Sequence, residues 1–125
     1  MLLDCLFVGC GGFIGAVLRY LCSFIKVDAG GFPVITLGIN VIGSFAIMFL
    51  AGLFARSFAL DSHLMLFLRV GLCGGFTTFS TFSAETLGLF ERGDVLAGLL
   101  YAVISCALCI GAAFLGELAA SAVSN

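Results

Sequence analysis

Ten consecutive residues, Gly74-Gly75-Phe76-Thr77-Thr78-Phe79-Ser80-Thr81-Phe82-Ser83, gather five hydroxyls and three phenyl rings. Hydroxyls donate hydrogen bonds, and the edge of a phenyl ring carries partial positive charge. Together they make a dry but electropositive surface, suited to a small anion. Phe79 and Phe82 lie three apart, on one face of a helix, with Ser83 and Thr86 alongside. A core stripe has the same spacing; here its neighbours are polar. A double glycine followed by a threonine pair is also a poor helix centre, because glycine weakens the helix and hydroxyls compete for its backbone groups. The pattern predicts a break near Gly74 to Thr78. Carbonyls freed there can bind a cation, and the half-helix that follows opens with its positive N-terminal end.

Other polar residues stand in apolar surroundings. Asn40 sits among Gly38, Gly43 and Ser44. An amide there is costly in hydrocarbon, so it either bonds across helices or aims a donor into an ion pathway. Arg19 either snorkels to an interface, pairs with a carboxylate, or lends positive potential to the mouth of an anion pore. Tyr101, Ser105 and Cys109 recur every four residues and supply a facing polar strip. Glu85 follows the aromatic run, and the sequence assigns it no role.

Several tempting motifs carry little. Cys106 and Cys109 form a C-x-x-C with neither a second pair nor a partnering histidine, so the six cysteines read as small buried hydrophobes. His63 is the only histidine and stands at a loop edge. Gly9, Gly11 and Gly15 miss the spacing of a nucleotide-binding loop, and no strand precedes them. Gly11 with Gly15, and Gly71 with Gly75, are G-x-x-x-G pairs that let helices approach closely in lipid. The chain offers no acid-base pair, metal cluster or activated nucleophile, and catalysis is not expected.

These residues must be positioned by membrane-spanning helices. Of 125 residues, 62% are hydrophobic and 10% charged, against roughly 25% charged in an average soluble domain. That leaves too little polar surface to cover a core in water. Five scattered basic residues make no patch for nucleic acid. Residues 34–55 and 95–116 are uncharged runs of 22, and about 20 helical residues cross a bilayer. Two further spans are expected at about 5–25 and 64–90. The first has Asp4 and no Lys or Arg ahead of its apolar run, so it reads as a retained helix rather than a signal peptide. Pro33 suits the first turn of the second. The expectation is one all-α transmembrane domain over 1–125, an up-down bundle with a broken third helix.

Charge gives almost no orientation. Lys26 and Arg92 mark one side, with Arg19 less than two turns inside; Arg56 and Arg69 mark the other. A three-to-two split is either noise in a small count or the mark of dual topology, in which oppositely inserted copies pair as an antiparallel homodimer.

Three segments resemble the Fluc (CrcB-type) fluoride channels: Gly11-Gly12-Phe13-Ile14-Gly15-Ala16-Val17-Leu18-Arg19-Tyr20, then Thr36-Leu37-Gly38-Ile39-Asn40-Val41-Ile42-Gly43-Ser44-Phe45, then Gly71 through Ser83. The resemblance spans essentially the whole chain and is most specific in Gly74 to Ser83. Ile35 departs from the glycine that often precedes the Thr-Leu pair. The resemblance implies a dual-topology dimer with two antiparallel fluoride pathways. It implies that Phe79 and Phe82 offer ring edges to fluoride and that Asn40 is an amide donor near the vestibule. It further implies Ser80 and Thr81 at or near the path, and a structural sodium ion on the backbone carbonyls of Gly74 and Thr77, two from each subunit.

The implied function follows from acid chemistry. Fluoride enters from acid surroundings as HF and is trapped by dissociation in a near-neutral cytoplasm. A passive, fluoride-selective channel in the cell (inner) membrane lets the negative-inside potential expel it and so reduces its toxicity. The alternative is a dual-topology small multidrug/proton antiporter, which needs a deep carboxylate that only Glu85 offers. A non-transporting scaffold would have no use for a costly broken span.

Overall fold

A computed structural model describes residues 1–56 and 61–123, and all the elements among them are helical. Four segments are long and apolar enough to cross a bilayer: Leu2–Cys22 (α1), Val34–Arg56 (α2), Ser62–Glu91, and Val95–Val123. The third span is composite. A short helix, Ser62–Met65 (α3), runs into a π-helical segment, Leu66–Cys73, then a single turn, Gly74–Phe76 (α4), and finally Phe79–Glu91 (α5). Val95–Val123 is α6. Part of the expected Arg56-to-His63 connection, residues 57–60, and the C-terminal pair 124–125 lie outside the described residues.

The helix limits depart from those expected from the charges, each for a local reason. α1 starts at Leu2 because Asp4 suits the positive end of a helix, and it stops at Cys22, where the Ser23 hydroxyl takes the Tyr20 carbonyl at 2.6 Å. Pro33 precedes α2, its carbonyl accepting from the Leu37 N–H at 3.2 Å. Asp61 caps the third span two residues early by accepting from the His63 N–H at 2.8 Å. α6 runs seven residues past Gly116 because Glu117 is not a stray charge. Arg56 from the end of α2 meets its carboxylate at 2.6 Å and the Ser121 hydroxyl at 2.9 Å.

Packing divides the helices into two closely paired sets. α1 lies along the first half of the third span, and α2 lies along α6, with α5 leaning on α6. The two G-x-x-x-G pairs meet each other. A side-chain carbon on Gly71 would stand 2.6 Å from the Val8 carbonyl oxygen and 2.9 Å from the Gly11 Cα. Backbone thus touches backbone, the close approach that small residues allow in lipid. The tight turn from α5 to α6 passes through Gly93 at φ 85°, a conformation open to glycine. Large apolar side chains cover the outside, Phe13 and Ile110 each 71% exposed, as suits contact with lipid chains. The fully buried residues are few. Tyr101 and Leu89 fill the space where α5 leans on α6, and Cys73 lies in the π-helical segment.

Candidate functional site

Two residues of the third span leave helical geometry: Thr77 (φ −75°, ψ 156°) and Thr78 (φ −152°, ψ 111°). The glycines before them stay helical, Gly74 at φ −65° and ψ −37°. Asn40 on α2 explains how the extended backbone is tolerated. Its Oδ1 accepts from the Thr78 N–H at 2.8 Å, and its Nδ2 donates to the Thr78 carbonyl at 3.1 Å. In an unbroken helix that N–H would go to the Gly74 carbonyl. Thr78 then caps α5, its hydroxyl accepting from the Thr81 N–H at 3.2 Å and donating to the Thr81 hydroxyl at 3.0 Å. Thr77 turns its own hydroxyl back to the Cys73 carbonyl at 3.0 Å. Its methyl lies against Gly43, where a larger residue would not fit.

From Thr78 a row of cavities follows α5. One of about 300 Å³ has Asn40, Thr78, Phe79, Phe82, Ser105 and Cys109 on its walls. A second, about 430 Å³, shares Thr78 and adds Arg19, Thr36, Thr81 and Glu85. A third, about 580 Å³, shares Glu85 and reaches Pro33, Glu91 and Arg92 at the end of the bundle. Rings run beside them: Phe79 to Phe82 at 5.3 Å between centroids, Phe82 to Tyr101 at 5.2 Å, and Tyr101 to Phe32 edge-on at 5.3 Å.

Glu85 is the residue whose role the sequence did not disclose. One carboxylate oxygen accepts from the Thr36 hydroxyl and the other from the Tyr101 hydroxyl, both at 2.7 Å. Charge-assisted bonds of this kind hold a carboxylate at a fixed place. The three residues come from α2, α5 and α6, and only the polar strip that recurs every four residues from Tyr101 hinted at one of them.

The remaining candidates separate. Phe79, Phe82 and Asn40 share the first cavity, while Arg19 and Thr81 share the second. Ser80 is exposed and touches the Thr78 hydroxyl at 3.3 Å, and it is not itself among the residues lining the three cavities. Arg19 donates through Nε to the Gly75 carbonyl at 3.2 Å and forms no ion pair with Glu85 across their shared cavity. Ser83 and Thr86 spend their hydroxyl protons on the Phe79 and Phe82 carbonyls, so they are not free donors beside the rings. Ser105 lines the first cavity, 5% exposed, and its hydroxyl has no hydrogen-bond partner among the described residues. The reading of the cysteines as buried hydrophobes is corrected: only Cys73 is buried, and Cys5, Cys10 and Cys106 are exposed. Packing here is between glycine backbones, which leaves the Cys5 and Cys10 thiols exposed, while Cys106 lines the first cavity.

Among the described residues no three His, Cys, Asp or Glu side chains could hold a metal. Backbone oxygens remain. The Gly74 carbonyl has lost its usual helical donor to Asn40, and beside Gly74 there is open space. Such a hard oxygen donor suits an alkali cation better than a soft one.

Residues 6–117 match the family model described as CrcB-like protein, Camphor Resistance (CrcB). A protein of Ruminiclostridium cellulolyticum called fluoride-specific ion channel FluC is 43% identical, over 94% of this chain and 92% of its own. Proteins of the same name from Elusimicrobium minutum and Paramagnetospirillum magneticum are 43% and 45% identical, over 93% and 94% of this chain and 92% and 95% of theirs.

Proposed function

The chain belongs to the CrcB-like family, and on that premise we propose that it is a fluoride channel, passing the anion passively out of the cytoplasm and so limiting fluoride toxicity. It is a multi-pass membrane protein, with the cell membrane as its site of action. The observation that carries the reading is the row of cavities along α5, from Asn40 and Thr78 to Glu85 and Arg92, edged by phenyl rings and hydroxyls. Fluoride is small and strongly hydrated, so replacing its water requires close donors. The edges of Phe79 and Phe82, the amide of Asn40 and the Thr81 hydroxyl are the donors we assign to it, with Ser80 beside the path. Arg19 raises the potential along the path. The positive N-terminal end of α5 acts at the same place.

The functional unit we propose is an antiparallel, dual-topology homodimer. Phe79 is 76% exposed in one protomer, which is odd for a ring that should enclose an ion, and a second copy would cover it. Gly74 is exposed as well, with nothing packed beside it. A sodium ion there, held by the Gly74 and Thr77 carbonyls of both copies, would tie the two breaks together and offset the cost of an anion at that depth. The antiporter alternative has no support among the relatives, and Glu85, its one deep carboxylate, is engaged by two hydroxyls.

The test is fluoride release from liposomes holding only the purified protein. Release without any proton or sodium gradient, with chloride far slower, is the expected result. Release that depends on an imposed proton gradient would restore the antiporter.

A further inference from the structure

Cys106 and Cys109 fall on the wall of the first cavity, and neither is among the donors assigned to the anion above. They stand three apart on α6, so their side chains are neighbours on one face. Cys106 is exposed and Cys109 half-buried, so both can be reached. The same wall carries the Ser105 hydroxyl, 5% exposed and without a partner among the described residues. An unpaired buried hydroxyl is unfavourable, and this one stands beside the two thiols. Phe79 and Phe82 line the same cavity.

We propose that this cavity is a binding site for a soft metal ion satisfied by two thiolates, with Cys106 and Cys109 as its ligands and Ser105 beside it. Thiolates select soft ions. A zinc ion would want four ligands, and the wall offers two sulfurs and a hydroxyl. A mercuric ion needs only the two. Each thiol gives up its proton to water, two sulfur–metal bonds form, and no oxidant or reductant takes part. The product is neutral, so it is held beside the phenyl rings without the penalty of a buried charge. Bound there, the metal occupies the space beside Phe82 through which the anion would pass. Binding stands on the cavity alone; the block of transport rests on the proposed channel function.

The experiment uses the full chain and mercuric ion as the probe. Binding is read in detergent by the ultraviolet thiolate-to-metal absorption, and by which cysteines escape alkylation, mapped by mass spectrometry. The first equivalent should protect Cys106 and Cys109 together. In Cys106→Ser and in Cys109→Ser, binding at the remaining thiol should be on the order of a hundredfold weaker, the factor that joining two donors supplies. Protection of Cys5 or Cys10 first, or single variants that bind as tightly as the native chain, would overturn the site. In liposomes, fluoride efflux is compared with and without mercuric ion, each protein against its own untreated rate. The native chain should be blocked and the double variant spared; equal block in both would overturn the proposal. Untreated protein that passes no fluoride would instead sink the channel reading, and the binding data would still decide the metal site.

Discussion

Asn40 holds Thr78 by both of its backbone polar groups, accepting from its N–H at 2.8 Å and donating to its carbonyl at 3.1 Å. The two residues are 38 apart in sequence. One amide side chain therefore takes the place of a neighbouring strand for a single extended residue. Replacing Asn40 by Ala leaves a donor and an acceptor unpaired in apolar surroundings, at about 1–3 kcal/mol for each. Asn40→Asp should be intermediate in stability, since a carboxylate accepts from the N–H but faces the carbonyl with like charge. It should also pass fluoride more slowly than its stability alone explains, because the new charge repels an anion. Thermal unfolding in detergent, paired with efflux, checks both statements.

The contact between α1 and the third span makes a second prediction. Gly71→Ala and Gly75→Ala would push a methyl against the backbone of Val8 and Gly12, which cannot retreat without moving a helix. Overpacking of this kind costs about 1–3 kcal/mol, and more where backbone is the obstacle. Gly88→Ala and Gly111→Ala meet nothing within 4 Å and should purify as the native protein does. Equal yields of folded protein from all four variants, by size-exclusion chromatography, would contradict the packing described.

The Glu85 carboxylate makes a third. Thr36 and Tyr101 bond separate oxygens of it, both at 2.7 Å, so the three residues should respond as a unit. Tyr101→Phe and Glu85→Gln are each expected to destabilise, and the double variant by less than the sum, with a coupling of about 0.5–3 kcal/mol. Simple additivity in unfolding measurements would show that the carboxylate is not fixed between α2 and α6.

Much of this architecture was legible because charge interrupts apolar sequence so rarely. The uncharged runs at residues 34–55 and 95–116 mark α2 and most of α6. A charge was a poor end-marker only where something neutralised it: Glu117 continues α6 because Arg56 answers it. The G-x-x-x-G spacing disclosed the close contact but not the π-helical segment that accompanies it. An extra residue per turn changes the register of a helix without needing any particular side chain. Partners from distant elements were the least legible. Nothing in the spacing of Thr36, Glu85 and Tyr101 says that they converge, and nothing local distinguishes Ser83, which bonds its own helix, from Thr81, which lines a cavity.

Topology makes a fourth prediction, from the near balance of Lys26, Arg92 and Arg19 against Arg56 and Arg69. A single reporter at either end of the chain should be labelled from both sides of the membrane. Two lysines added within Glu91 to Asp94 should fix that loop in the cytoplasm, because short-loop positive charge sets orientation. Native protein labelled from one side only would refute dual topology.

The last prediction separates Phe79 and Phe82 from ordinary packing. Their centroids are 5.3 Å apart, yet Phe79 is 76% exposed in the protomer while Phe82 also leans on Tyr101. Replacing either by Leu keeps an apolar side chain and removes the positive ring edge. If the rings only fill space, the substitution should cost on the order of 1–1.5 kcal/mol, and whatever remains folded should conduct normally. If the edges face fluoride, both variants should elute as the native protein does and yet release fluoride at least tenfold more slowly, about 1.4 kcal/mol at the barrier. The decisive quantity is efflux per folded protein, so that lost protein is not mistaken for lost conduction. Native efflux from intact Phe79→Leu and Phe82→Leu protein would return both rings to the packing and move the path elsewhere.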